Sequence, residues 1–301
     1  MNQSKSYPKV LSVAGSDSSG GAGIQADLKT FSALGVYGAT AITAITAQNT
    51  QGVNSQFALE PQMVYDQIAA VMDDIEPSVV KIGMLSNTAI VEAVAKALHD
   101  YKPSFIILDP VIVSSTGHRL LSIEAQETIK EKLIPIADLL TPNIPEMKAL
   151  TDSSLLSLEE KKEAAQQLFN LGAKAILLKG GHEEGEVKTD VLFLSHRVSK
   201  SPSHRVAETT SSVSLSMSAS ESLSMSVYAS ETVVTKNTHG TGCTLSSAIA
   251  AFIARGLSLE DAISEAKNYV TEAIRAGADI KIGKGIGPVN HFFNPQKMIV
   301  L

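Results

Sequence analysis

Short runs of aliphatic and β-branched residues alternate with helix-length amphipathic segments along nearly all of this 301-residue chain, and that alternation leaves few folds open. Strands are expected at Val10–Ala14, Tyr37–Thr46, Ser78–Ile82, Phe105–Leu108 and Ala175–Lys179, with a short apolar segment at Ala137–Leu140. Helical periodicity falls between and after them, at Gly23–Leu34, Met63–Met72, Ala89–Leu98, Ile123–Leu133, Leu158–Leu171, Leu245–Ala254 and Leu259–Ala276. Strands that are apolar nearly throughout bury both of their faces. Spaced by helices, they predict an α/β fold with a mostly parallel central sheet and helices on both sides.

One stretch breaks the pattern. Residues 199–230 are dominated by serine, and Ser-Leu-Ser-Met-Ser occurs twice, at Ser214–Ser218 and Ser222–Ser226. Few charges and no helical period mark a weakly ordered surface insertion. Serine alternating with Leu, Met and Val also fits an extended β-hairpin. Because helical periodicity resumes after it, the chain is expected to be a single domain over residues 1–301 with an insertion at 199–230, to which no chemistry is assigned.

Bulk properties exclude several classes. A formal charge of -6 argues against nucleic acid or an acidic membrane surface as the main partner. The single cysteine cannot form an internal disulfide and fits a reducing compartment. Met1–Pro8 is polar and lacks the apolar core of a secretory signal, and runs such as Phe105–Leu108 are too short to span a bilayer. A cytoplasmic location is expected.

That cysteine closes the segment His239-Gly240-Thr241-Gly242-Cys243, just before an apolar helical stretch. Glycines at a helix start leave backbone N–H groups bare, and the helix dipole adds roughly half a positive charge, which makes an anion site without a basic side chain. In that position Cys243 is expected to have its pKa drawn below the free value of about 8.5. The plainer reading is ordinary turn and cap chemistry beside a small buried hydrophobe.

Other candidates fall at expected strand ends. Gly21-Ala22-Gly23-Ile24-Gln25-Ala26 matches a dinucleotide fingerprint, but its glycines lie past a polar loop and only Gln48 follows the second strand where a ribose-holding carboxylate is needed. A glycine-lined wall admitting a flat ring fits better, with Asp27 either facing that pocket or solvated on the helix. Asp109 closes an apolar strand. Asn143 and Glu146 fit either oxygen ligands for Mg²⁺ or a capping box. Lys179, before Gly180-Gly181, reads as a charge on nucleotide phosphates or as a solvated strand-end lysine. The loop Gly283–Val289 suits close approach by a nucleotide or simple chain turning, and His118, His182 and His239 lack zinc-ligand spacing.

These motifs together resemble the hydroxymethylpyrimidine and phosphomethylpyrimidine kinases of thiamine biosynthesis, within the ribokinase-like superfamily. The carrying residues are Ala14–Asp17, Gly20–Asp27, Thr43–Thr50, Lys81–Leu85, Asp109–Val111, Thr141–Glu146, Lys179–His182, His239–Cys243 and Gly283–Pro288, in order and over nearly the whole chain. The resemblance implies a three-layer ribokinase-like fold and two successive phosphoryl transfers from ATP to 4-amino-5-hydroxymethyl-2-methylpyrimidine. It implies Gln48 on the pyrimidine edge, with Gly15, Asp27, Met84 and Val111 around the ring. It also implies Asp109 and Glu146 near Mg²⁺, Lys179, Asn143 and Thr241 beside ATP, and Gly240, Thr241, Gly242 and Cys243 at the reacting phosphoryl group, Cys243 as base. Family members are commonly homodimers, so a homodimer is expected. The serine-rich insertion departs from the family's shorter connection. Cysteine at the base position is shared with pyridoxal-type kinases, which keeps a vitamin B6 kinase as a second reading. A sensor that has lost turnover is a third, and it has no need of the Gly240–Cys243 segment or of Asn143 and Glu146.

Overall fold

The computed structural model describes residues 5–113, 120–151, 153–181, 185–195 and 223–301. His118, His182 and residues 199–222 of the expected insertion lie outside the described residues. The strands are β1 (Lys9–Asp17), β2 (Tyr37–Asn49), β3 (Gly52–Ala58), β4 (Val79–Ile82), β5 (Phe105–Leu108), β6 (Leu139–Leu140), β7 (Ala175–Leu178), β8 (Val187–Ser195) and β9 (Leu223–Glu231). The helices are α1 (Gly23–Ala33), α2 (Pro61–Asp74), α3 (Thr88–Tyr101), α4 (Ile123–Lys132), α5 (Ile144–Leu150), α6 (Leu158–Asn170), α7 (Thr241–Ala254) and α8 (Leu259–Gly277).

All nine strands form one sheet in the order β3-β2-β1-β4-β5-β6-β7-β8-β9. The six central strands, β2 to β7 in that order, pair in parallel. The outer strands, β3 on one side and β8 and β9 on the other, pair antiparallel. Residues 223–230 of the serine-rich stretch therefore belong to a strand rather than to a loop, with Ser195 opposite Leu223. There the serine alternation is that of an edge strand, with the more buried positions turned to the sheet's neighbours.

Alternate residues of the central strands feed opposite cores. Leu11, Val13, Val80, Ile82, Ile106, Leu108, Leu140 and Ile176 join the side covered by α2 to α6. Val10, Val79, Ile107, Leu139, Ala175 and Leu177 join the side covered by α1, α7 and α8. A period of two that is apolar on both phases can only be satisfied between two helical layers.

Local chemistry sets the helix starts. Asn87, Ser122, Ser157 and Ser258 cap α3, α4, α6 and α8 by accepting from N–H groups of the first turn. The result for function is positional. Asp17, Gln48, Met84, Asp109, Thr141 and Lys179 all sit at or just beyond the C-terminal ends of parallel strands. β1 is also where the strand order reverses, with β2 on one side and β4 on the other. Ligands of open α/β sheets bind in the crevice at such a reversal.

Candidate active site

A small apolar cluster lies at this crevice, separate from both cores. Ala44, Met84 and Leu120 form it, with Val53 and Val111 packed against them. Gly15 belongs beside them, since a Cβ added there would stand 2.9 Å from the Met84 sulfur. Three residues expected around a ring, Gly15, Met84 and Val111, thus converge. Ala44 and Thr46 are buried and Gln48 half-buried, whereas Ile45, Ala47 and Asn49 between them are exposed. The alternation turns Gln48 to the same face of β2 as Ala44.

Helix α7 starts from Gly240 in the left-handed conformation, φ 79°. A Cβ at Gly240 would overlap the Gly21 carbonyl oxygen, and one at Gly21 would overlap the His239 ring. These glycines allow close contact between the loops entering α1 and α7. The first-turn N–H groups of α7 have no acceptor within the helix; that of Thr241 donates to the Thr238 carbonyl at 3.3 Å.

Cys243 stands in that first turn and is half-buried. Burial pushes its thiol up to about 11, with Asp27 and Asp109 adding to the rise, while Lys81 and an N–H from Gly23 pull the other way. The expected low pKa is therefore corrected: desolvation outweighs Lys81 and the Gly23 N–H.

Two buried ion pairs flank the cysteine. Lys179 Nζ lies 2.7 Å from Asp109 Oδ1 and 3.8 Å from Glu146 Oε2. It also stands 3.5 Å from where a Cβ on Gly242 would be, so the cation reaches the start of α7. Asp109 accepts further from Thr141 Oγ1 and Ser246 Oγ, each at 3.1 Å. Burial raises Asp109, but Lys179, Lys81 and these hydrogen bonds hold its carboxyl below the usual range. Glu146 is pushed up to about 7, by burial first and by Asp109, against the pull of Lys179 and the Asn143 N–H. Asn143 and Glu146 form the reciprocal capping box of α5, at 2.8 Å each way. Thr241 Oγ1 is turned to the Thr238 carbonyl at 2.6 Å.

Asp27 neither lines an open pocket nor faces solvent. It is fully buried, accepting from Lys81 Nζ at 2.9 Å on both oxygens, from Ser12 Oγ at 2.5 Å and from Ser247 Oγ at 2.6 Å. Three donor groups occupy the carboxylate with four hydrogen bonds, so Asp27 supports the floor of the crevice beneath Cys243. Lys81 was legible only as a lysine inside the apolar run Val79-Val80-Lys81-Ile82. Its charge is retained because Asp27 repays the burial cost, and its pKa is raised.

A third buried pair had no local sequence signal. His239 Nε2 lies 2.8 Å from Asp17 Oδ2. Asp17 also accepts from the N–H groups of Ser19, Gly21 and Ala22 and from Ser19 Oγ. Burial opposes ionisation, yet these donors hold Asp17 well below the usual carboxylate range. Gln48 Nε2 approaches the same His239 nitrogen at 3.3 Å. The C-terminal loop closes over this corner. Thr50 accepts from the N–H groups of Lys284, Gly285 and Ile286. A cleft of about 560 Å³ opens there, lined by Thr50, Lys236, Thr238 and Lys284.

Among the described residues no group of three His, Cys, Asp or Glu side chains could hold a metal, and no helix is long and apolar enough to cross a membrane.

A family model described as phosphomethylpyrimidine kinase matches residues 17–222 and 213–290. The hydroxymethylpyrimidine/phosphomethylpyrimidine kinase of Escherichia coli (strain K12) is 41% identical over 283 residues, covering 94% of this chain and 96% of that protein. The thiamine biosynthesis bifunctional protein ThiED of Geobacter sulfurreducens is 43% identical over 292 residues, 96% of this chain but 54% of its own, so this chain spans about half of its length. The crystal structure of a phosphomethylpyrimidine kinase from Clostridium difficile 630 superposes with TM-score 0.70 at 41% identity, covering 88% of this chain and 99% of that one. The ADP complex of Bacillus subtilis pyridoxal kinase superposes with TM-score 0.78 at 33% identity, covering 95% and 98%.

Proposed function

The chain belongs to the phosphomethylpyrimidine kinase family, and from that premise we propose how its crevice divides the work of phosphoryl transfer. The fold is ribokinase-like, and the enzyme is a kinase of thiamine biosynthesis. It uses ATP to phosphorylate 4-amino-5-hydroxymethyl-2-methylpyrimidine, and then phosphorylates the monophosphate to the diphosphate.

One observation carries the assignment of roles: the apolar cluster at Gly15 and Met84, the start of α7, and the Lys179–Asp109 pair meet along one edge of the sheet. The pyrimidine ring lies against Gly15, Met84 and Val111 with its polar edge on Gln48. Its hydroxymethyl group points to Cys243. ATP brings its γ-phosphoryl group to the N–H groups of Gly240, Thr241, Gly242 and Cys243, with Lys179, Asn143 and Thr241 on the phosphate side. The hydroxymethyl oxygen forms the new P–O bond as the bond to the β,γ-bridging oxygen breaks and ADP leaves. The hydroxyl proton goes to the thiolate form of Cys243. Because the transition state is loose, positioning and charge stabilisation supply most of the rate, and the base has little to do until late.

The donor set fits Mg²⁺ arriving with ATP. Asp109 and Glu146 would be its oxygen ligands, two carboxylates on either side of Lys179, whose Nζ lies 2.7 Å from Asp109 Oδ1 and 3.8 Å from Glu146 Oε2. A divalent ion there would neutralise charge on the phosphates.

Pyridoxal is a second substrate reading, favoured by the fit to the Bacillus subtilis pyridoxal kinase. Comparing kcat/KM on hydroxymethylpyrimidine and on pyridoxal tests the two. The pyrimidine is expected to be preferred by at least about tenfold, since a ring edge paired to Gln48 is lost in the pyridine. A preference for pyridoxal would reassign the enzyme.

A further inference from the structure

The contacts of Gln48 contain a contradiction that chemistry resolves in one way. Its backbone is clamped, because Ser18 Oγ donates to the Gln48 carbonyl and accepts from its N–H, both at 2.8 Å. Only the side chain is free to turn. Its Nε2 lies 3.3 Å from His239 Nε2, and its Oε1 lies 3.1 Å from Thr46 Oγ1. Asp17, ionised and held by four other donors, sits 2.8 Å from that same His239 nitrogen, which must therefore carry hydrogen. The single hydroxyl hydrogen of Thr46 goes to the Ser16 carbonyl at 2.9 Å. In this orientation the amide sets donor against donor at His239 and acceptor against acceptor at Thr46. Amide oxygen and nitrogen exchange places by a half-turn of the terminal torsion. After that half-turn the single hydrogen on His239 Nε2, given chiefly to Asp17 at 2.8 Å, is shared with Gln48 Oε1 at the longer 3.3 Å contact. Gln48 Nε2 donates to Thr46 Oγ1, so neither contact sets like against like.

We propose that the Asp17–His239 pair is a positioning device that fixes the amide of Gln48 with its oxygen toward His239 and its nitrogen toward Thr46, and thereby sets which heterocycle edge the enzyme accepts. Each amide atom keeps one hydrogen-bonding valence for the ligand. The ligand thus meets an acceptor and a donor in fixed order. An exocyclic amino group beside a bare ring nitrogen complements that order, and this is the edge of a 4-aminopyrimidine. A 4-oxopyrimidine presents the reverse, a carbonyl beside a ring N–H. The ring cannot turn over to compensate, because its hydroxymethyl group must point to Cys243. The inference rests on the reading that Gln48 faces the ring, and it adds what orients the amide. Sites built to hydrogen-bond a substrate reject analogues that leave those groups unpaired.

The test compares kcat/KM on hydroxymethylpyrimidine and on its 4-oxo analogue in the wild type and in Gln48→Ala, His239→Leu and His239→Gln. The wild type is expected to favour the amino compound, and Gln48→Ala to lose that preference. His239→Leu should lower the ratio by about tenfold or more while the KM for ATP stays near normal. His239→Gln, whose amide N–H can replace the imidazole donor, should recover part of it. A merely structural role for His239 would lower both rates and leave the ratio unchanged, and that result overturns the proposal. A ratio retained in Gln48→Ala would instead overturn the reading of Gln48 itself, and the proposal with it. Independently of any variant, long-range ¹H–¹⁵N spectra of the wild-type histidines should find His239 protonated at Nε2. A bare Nε2 overturns the proposal as well.

Discussion

At the scale of single residues, the proposed chemistry turns on a thiol whose surroundings work against its ionisation. Burial holds Cys243 up to about 11, so near neutral pH it is almost wholly the neutral thiol. A raised acid pKa means that the competent thiolate grows with pH, about tenfold per unit, until that value is reached. The wild-type kcat is therefore expected to rise through the alkaline range. Cys243→Ala should lose about 10²–10⁴-fold in kcat, flatten that profile and leave the KM for ATP nearly unchanged. Steady-state rates across pH for both proteins check this, and a variant with normal turnover would remove the thiolate from the mechanism. The places of Asp109 and Lys179 at strand ends and of Cys243 at a helix start were legible in the sequence. Asp17, Lys81, His239, Ser246 and Ser247 were not, because their meaning lies in partners far along the chain. Asp27 shows the limit from the other side. A carboxylate on a helix can face a pocket, solvent or the interior, and only the arrival of Lys81 from β4 decides.

At the scale of elements, the crevice depends on two loops that touch backbone to backbone. Gly240 has a left-handed φ of 79° and no room for a Cβ against the Gly21 carbonyl. Gly240→Ala combines left-handed strain with that overlap and should cost more than about 3 kcal/mol, with loss of turnover, because the start of α7 must move. Chemical denaturation and a rate assay test it together; unchanged stability would mean that the loops are not held as described. The longer helices and the central strands could be read directly, since amphipathic periodicity and apolar runs are local signals. The edge strands were harder. β3 is mostly exposed and carries no buried stripe, and the serine alternation of β9 resembles low-complexity sequence until β8 lies beside it. β8 carries an apolar run, Val191–Leu194, that signals a strand without revealing its antiparallel direction.

At the scale of the molecule, the same edge hairpin bears on assembly. Ile45 and Phe57 face one another across β2 and β3 and are 48% and 67% exposed. Such an apolar pair on an edge supports the homodimer proposed from the family. Phe57→Glu is expected to shift the particle from dimer to monomer in light scattering, and a wild type that is itself monomeric would refute the assembly. The central claim is that one crevice performs two successive phosphorylations of one pyrimidine. Its most direct test incubates the purified protein with Mg-ATP and hydroxymethylpyrimidine and follows the products by anion-exchange chromatography. The account predicts that the monophosphate appears first and is then converted to the diphosphate. Monophosphate that accumulates without further conversion, or no product at all, would contradict it.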